Sequence, residues 1–308
     1  MPEQISQPVL EETDLERLIA DVPLLAQRPF AGWRVARLPG LTNRSWRLSD
    51  DTLDIVLRVP GHSAGRYLNR TQEFHNVGVA ARIGIAPPLL HADPESGIMV
   101  QEYLPGAAQL QQSDFADPAT AFEIGALLAR LHAAPEPFKG TMAPFPVIDL
   151  YLSLAADDRL RDLRKRADPI RRVLEMHPEP SVPSHIDPNP SNFLRIADGS
   201  LRLIDWEFSA MCEPAWDLAA VMMEADLSAA RAEAVLKGYG WTDSPARRSR
   251  LWLMRAALHL VAGSWTHAEI AGGNTAPSLP ALLEHYLTSL ERMMDGPEWS
   301  SHLRAVRD

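Results

Sequence analysis

Pro183-Ser184-His185-Ile186-Asp187-Pro188-Asn189-Pro190-Ser191-Asn192, followed by Leu203-Ile204-Asp205-Trp206-Glu207, decides the reading of this chain. Between them, Phe193-Leu194-Arg195-Ile196 and Leu201-Arg202-Leu203-Ile204 flank Ala197-Asp198-Gly199-Ser200, the turn signal of a β-hairpin. In an antiparallel hairpin the start of the first strand lies beside the end of the second. Asn192 and Asp205 are therefore expected together at the open end, close enough to share one cation. Their oxygen donors suit a hard divalent ion such as Mg²⁺. Asp187 sits in a Pro-rich loop with no strand pattern, where an extended backbone can present a carboxylate to a substrate hydroxyl. Alone it would read as a turn cap. Beside Asn192 and Asp205 it reads as a base, and the three together are the parts of phosphoryl transfer. The base orients and deprotonates the attacking hydroxyl, while the two metal ligands hold the ion that carries the nucleotide phosphates.

Composition bounds the remaining possibilities. A chain of 308 residues can bury a sizeable core and divides into about two lobes. Its single cysteine, Cys212, excludes an intrachain disulfide and fits a reducing compartment. The opening Met-Pro-Glu-Gln-Ile-Ser-Gln lacks the basic and apolar regions of a signal peptide. No apolar run approaches the ~18 residues needed to cross a bilayer. A cytoplasmic protein with no membrane partner is expected. The net charge of −10, with no basic cluster, argues against a nucleic-acid partner and is compatible with a cationic substrate. The sequence leaves the oligomeric state unknown.

The hydrophobic pattern changes along the chain. Glu11 to Ala20 reads as a short amphipathic helix. Gly32–Leu38, Ser45–Leu48 and Leu53–Val59 read as strands, with Asp50-Asp51 turning between the last two. Tyr67, Phe74, Val77 and Ala81 share one helical face. Leu89–His91 and Ile98–Leu104 form a further strand pair. Beyond Pro105-Gly106 long helices take over, one of them capped by Asp117 with Pro118 at its first position. The expected architecture is α+β: a β-rich nucleotide-binding lobe over 1–102, then a mostly helical catalytic and acceptor-binding lobe over 103–308.

The whole chain resembles the choline/ethanolamine kinase branch of the aminoglycoside phosphotransferase-like enzymes, bacterial type, which share a two-lobed protein-kinase-like fold. The resemblance runs in family order through Pro39-Gly40-Leu41-Thr42-Asn43-Arg44, Val56-Leu57-Arg58-Val59-Pro60-Gly61, Arg70-Thr71-Gln72-Glu73 and Gly84-Ile85-Ala86-Pro87. It continues through Val100-Gln101-Glu102-Tyr103-Leu104-Pro105-Gly106, the two stretches quoted first, and Glu213-Pro214-Ala215-Trp216-Asp217-Leu218. It implies an ATP-dependent kinase with Asp187 as base and Asn192 and Asp205 on the metal. Arg58 then stands where a protein kinase carries its phosphate-binding Lys, and its guanidinium is a permanently charged fork for phosphate oxygens. Glu73 is its expected ion-pair partner. The loop Gly40–Arg44, including Asn43, is expected to cover the phosphates, and Gln101, Tyr103 and Leu104 to meet the adenine edge. His185 and Asp217 are expected to support the catalytic loop.

Only eleven residues separate Asp205 from Asp217, and no Ala-Pro-Glu follows, so there is no room for a peptide-docking segment. The acceptor is expected to be a small hydroxyl compound. Tryptophan faces suit a quaternary ammonium group. Trp252 and Trp265, on the helix-like stretch 251–270, are the chosen pair, with Glu207 as the acid. Choline or ethanolamine is therefore the expected acceptor. Thiamine or an aminoglycoside is the alternative, and a non-catalytic nucleotide-binding protein is disfavoured because Asp187, Asn192 and Asp205 are all present.

Overall fold

In a computed structural model of the chain, residues 12–39, 43–61 and 68–306 are described. Glu11, Gly40 to Thr42, Tyr67 and the N-terminal peptide, which carried expectations above, lie outside them. In chain order the elements begin with α1 (Glu12–Asp21), β1 (Arg34–Leu38), β2 (Asn43–Ser49), β3 (Asp54–Pro60), α2 (Arg70–Arg82), β4 (Leu89–Asp93) and β5 (Ile98–Glu102). There follow β6 (Ala108–Gln109), α3 (Pro118–His132), α4 (Pro144–Leu154), α5 (Asp158–Arg166), α6 (Asp168–Met176), β7 (Val182–Ser184), β8 (Phe193–Arg195), β9 (Leu201–Leu203) and β10 (Ala210–Cys212). The helices α7 (Ala215–Glu224), α8 (Ala229–Tyr239), α9 (Pro245–Ala271), α10 (Leu279–Asp295) and α11 (Trp299–Ala305) complete the set.

The alternating strands give one antiparallel sheet in the order β1-β2-β3-β5-β4. Trp46 and Leu48, then Ile55, Leu57 and Val59, alternate onto one face, where they pack with Leu15, Ile19 and Val22 of the α1 region. The Asp50 carboxylate closes the β2–β3 turn by accepting from the N–H groups of Thr52 and Leu53, each at 2.7 Å.

The chain divides into two compact units, Met1–His62 with Leu89–Tyr103, and Ser63–Pro88 with Leu104–Asp308. The lobe expected as one continuous range over 1–102 is thus interrupted, because α2 belongs to the second unit. In that unit Asn76 of α2 bonds to Lys139 and Ser209, and the Leu203 N–H donates to Ile85 O just beyond the helix.

Within the second unit, α3 begins at Asp117, whose carboxylate accepts from the Ala119 and Thr120 N–H groups ahead of Pro118. It runs tightly against α8, and a Cβ on Gly125 or Gly238 would come within 2.0 Å of a carbonyl on the facing helix. The 27-residue α9 forms the spine on which α4, α7, α10 and α11 pack.

Candidate active site

The site grows from the β8–β9 hairpin. Gly199 takes a φ of 87°, which its lack of a Cβ permits, and the Asp198 carboxylate accepts from the Ser200 N–H at 2.8 Å. The strands pair Phe193 with Leu203, and one step beyond, the Ile204 N–H donates to Asn192 O at 3.0 Å. Asn192 and Asp205 therefore emerge side by side at the open end. Asn192 Nδ2 turns toward Asp187, donating to its main-chain oxygen at 2.9 Å and to its carboxylate at 3.2 Å. Asn189 Nδ2 donates to the same carboxylate oxygen at 3.1 Å.

The loop that carries Asp187 is braced from below. Asp217, with no exposed surface, accepts from the N–H groups of His185 and Ile186, both at 2.8 Å. His132 Nε2 lies 3.1 Å from the same carboxylate, and His132 Nδ1 lies 2.9 Å from the Tyr239 hydroxyl. Burial pushes the Asp217 carboxyl up, but the bonds from His132 and His185 outweigh it and hold the group below the ordinary value. The Trp216 indole N–H donates to Ile186 O at 2.8 Å. His185 is buried against Trp206, with Nε2 2.9 Å from Ile204 O, and burial lowers its pKa. It is built into the scaffold. Ile186 and Asp205 both occupy the left-handed region, with φ of 76° and 64°. For non-glycine residues this costs about 1–3 kcal/mol each and persists only where neighbouring structure enforces it.

Asp187 is half-buried, and its carboxyl is pushed well above the ordinary value by burial, then by the negative charges of Glu224, Asp205 and Glu207. The Asn189 bond opposes that shift. Glu224, at the end of α7, accepts from the Tyr286 hydroxyl of α10 at 3.0 and 3.2 Å. The buried Tyr151 of α4 feels the charges of Glu269, Glu207 and Asp187, and Tyr286 feels those of Glu224 and Asp187. Helices α4, α7 and α10 thus carry Tyr151, Glu224 and Tyr286 within electrostatic reach of Asp187, and Glu269 of α9 acts on Tyr151. The sequence reading missed Tyr151, Glu224, Glu269 and Tyr286. Glu224 had a legible signal, since it follows Asp217 by two helical turns in an otherwise apolar segment.

Glu207 is buried with its carboxylate 3.7 Å from Arg70 Nη1, and the same nitrogen donates to Glu73 Oε2 at 2.5 Å. Trp252 and Trp265 require a correction. They are thirteen residues apart on the continuous α9, about 20 Å of helical rise, so one trimethylammonium group cannot contact both. The Trp252 ring is stacked on His302 at 4.4 Å and set edge-on to Trp299, within the α9–α11 contact. Trp265 lies one turn before Glu269 on the same helical face.

In the first unit, strand register puts Asn43, Arg58 and Gln101 on one face of the sheet, opposite the α1 core. All three are buried. Tyr103 extends the β3–β5 pairing through its N–H to Asp54 O, and the Arg47 guanidinium covers its ring at 3.9 Å. Leu104, the last of the expected adenine contacts, is half-buried and opens the second unit's segment.

Among the described residues no three His, Cys, Asp or Glu side chains converge into a cage made by protein alone. A divalent ion completed by nucleotide phosphates needs less. The Asn192 amide nitrogen donates to Asp187, and Asn192 Oδ1 and the Asp205 carboxylate are both hard oxygen donors. Such a donor set fits a hard divalent cation. No helix among the described residues is long and apolar enough to cross a membrane.

Comparison with known proteins places this site in a family. The model of the phosphotransferase enzyme family, APH, matches residues 34–253. The crystal structure of a choline/ethanolamine kinase family protein from Mesorhizobium loti is 30% identical, with a TM-score of 0.82 over 96% of this chain and 99% of that one. Thiamine kinase of Salmonella dublin is 31% identical over 68% of this chain and 76% of its own length. Protein LicA of Haemophilus influenzae is 28% identical over 65% of this chain, and the match spans only 60% of that relative. The chain belongs to the phosphotransferase enzyme family.

Proposed function

We propose that the chain is an ATP-dependent kinase that transfers the γ-phosphoryl group to the hydroxyl of choline or a related amino alcohol such as ethanolamine. The observation that carries the reading is that the Asn192 carboxamide donates to Asp187 while the Asn192 main-chain oxygen accepts from the Ile204 N–H, next to Asp205, at the open end of the hairpin. Asp187 takes the hydroxyl proton. Asn192 and Asp205 hold Mg²⁺, which when bound neutralises charge on the transferring phosphates. Asn43, Arg58, Gln101, Tyr103 and Leu104 serve the nucleotide. The cation of the acceptor is met by Glu224 and Glu269 with Tyr151, Tyr286 and Trp265, and Glu207 backs them from its place beside Arg70. Such a cation offsets the carboxylate charges that raise Asp187, which draws the base back toward its ionised form.

The likeness to the Mesorhizobium loti protein favours choline or ethanolamine. The thiamine kinase relative supports a second reading, the same transfer to thiamine, and an aminoglycoside acceptor belongs to that alternative. Work in the cytoplasm, where ATP is supplied, fits either. The test is phosphate transfer from Mg²⁺-ATP to a panel of choline, ethanolamine, thiamine and aminoglycosides. Turnover of choline or ethanolamine is expected. Turnover of thiamine or an aminoglycoside alone would remove the amino-alcohol reading, and no transfer to any member would remove both.

A further inference from the structure

The segment after Asp205 closes at once into a turn. The Ser209 N–H donates to Trp206 O at 3.0 Å, and its hydroxyl donates to the same oxygen at 2.6 Å. Trp206 is pinned in turn, its indole N–H donating to Leu203 O at 3.0 Å and its ring packing on His185 and Phe138. One side chain reaches this turn from α2. Asn76, with no exposed surface, donates from Nδ2 to Ser209 O at 2.8 Å and to Lys139 O at 3.1 Å. Its Oδ1 accepts from the Lys139 N–H at 2.8 Å. Both amide hydrogens and the amide oxygen are therefore engaged.

Asp205 needs such support. In the left-handed region a residue with a Cβ relaxes toward ordinary backbone unless the chain is held on both sides of it. The hairpin bond from Ile204 to Asn192 holds the upstream side. Downstream, the Trp206–Ser209 turn does so, and Asn76 fixes that turn to the Lys139 segment. We propose that Asn76 is a positioning residue for Asp205: its carboxamide fixes the turn that keeps this carboxylate aimed with Asn192 at a nucleotide-bound cation. The proposal rests on the metal–nucleotide reading given above. It assigns α2 a task inside its own unit, where Arg70, near the same helix start, also lies beside Glu207.

The test replaces the donors and keeps the shape. In Asn76→Asp the side chain can still accept from Lys139 but gives nothing to the two carbonyl oxygens. The readout is Mn²⁺ binding in the presence of ATP, followed by the loss of the free-ion electron paramagnetic resonance signal, with ATP affinity measured separately without metal. Partners that orient a metal ligand are worth roughly 10–100-fold in metal affinity. Asn76→Asp is expected to weaken Mn²⁺ binding by about tenfold or more, with metal-free ATP affinity within about twofold. Val173→Ala, a buried truncation on α6, is the control for general loss of stability and should leave both constants unchanged. Should Asn76→Asp fail to fold, Asn76→Ser, which leaves room for water to bridge, is measured with the same expectation. Wild-type Mn²⁺ affinity in the folded variant, or equal weakening in Val173→Ala, overturns the proposal alone. A wild-type chain that binds no metal–nucleotide pair overturns the phosphotransferase reading and this proposal with it.

Discussion

Replacing Asp217 by Asn tests how the loop around Asp187 is held. The two carboxylate oxygens accept three bonds: Oδ2 from the His185 N–H and His132, and Oδ1 from the Ile186 N–H. A carboxamide has only one accepting oxygen, so its NH₂ group must face a buried N–H and leave it unpaired. An unsatisfied buried donor costs about 1–3 kcal/mol, and the bonds that remain lose roughly 1 kcal/mol each when the acceptor is no longer charged. The total is about 3–5 kcal/mol, a large share of the roughly 5–15 kcal/mol that stabilises a typical protein. At about 2–4 °C per kcal/mol, the melting temperature should fall by roughly 10 °C. Ile186 also loses one restraint on its left-handed backbone, and a shift of about 1 Å at a neighbouring catalytic group costs roughly a hundredfold in rate. Thermal melts and turnover at a temperature where the variant is folded measure both effects. The sign with pH is fixed: the folded-state pKa of Asp217 lies below 3.8, so its contribution is complete above that value and fades as pH falls further. The gap between wild type and variant should therefore narrow in strong acid. A variant that melts with the wild type and turns over at the same rate would refute the bracing role.

The remaining expectations concern chemistry, acceptor and acid stability. Asp187→Ala should lower kcat by about 10²–10⁴-fold with ATP affinity unchanged, whereas Asp205→Ala should weaken Mg²⁺-ATP binding as well. Calorimetric titration that finds Mg²⁺-ATP binding intact in Asp205→Ala would remove Asp205 from the metal. Trp265→Leu should raise acceptor KM roughly thirtyfold, the equivalent of about 2 kcal/mol for a desolvated cation–π face, while ATP KM stays constant. Trp252→Leu should lower only the melting temperature, and an acceptor KM effect there would contradict its assignment to the α9–α11 contact. Burial, reinforced by Arg255 and His285, pushes His259 down to about 3 from its ordinary 6.5. Because the unfolded chain takes up a proton that the native state refuses, stability is complete above pH 6.5 and falls as pH drops toward 3, by up to about 1.4 kcal/mol per pH unit. His259→Leu should flatten that acid limb in urea titrations at several pH values, and an unchanged slope would disprove the assignment.

Local chemistry wrote much of this protein into its sequence. Asp198-Gly199 specifies a turn because glycine alone accepts that backbone without strain. The period of two in the flanking runs specifies strands, and the two facts together fix Asn192 beside Asp205. The same holds for the β2–β3 turn at Asp50, the capped start of α3 and the five antiparallel strands, whose signals all lie within a few residues of the element they build. The sequence also carried the family resemblance, which rests on the order of short motifs.

Only tertiary structure could do the rest. Tyr151 and Tyr286 come from α4 and α10, and no spacing along the chain announces that their hydroxyls feel the charge of Asp187. Trp252 and Trp265 looked equivalent in sequence, but the rise of a continuous helix separates them and the docking of α11 covers one. In the second unit α2 is tied down by Asn76, a polar residue whose partners are 63 and 133 positions away. Hydrogen bonds within a turn are set by neighbouring residues. Burial of a carboxylate, and the charge that acts on it, depends on which distant helices pack against it, and that is settled only when the whole chain folds.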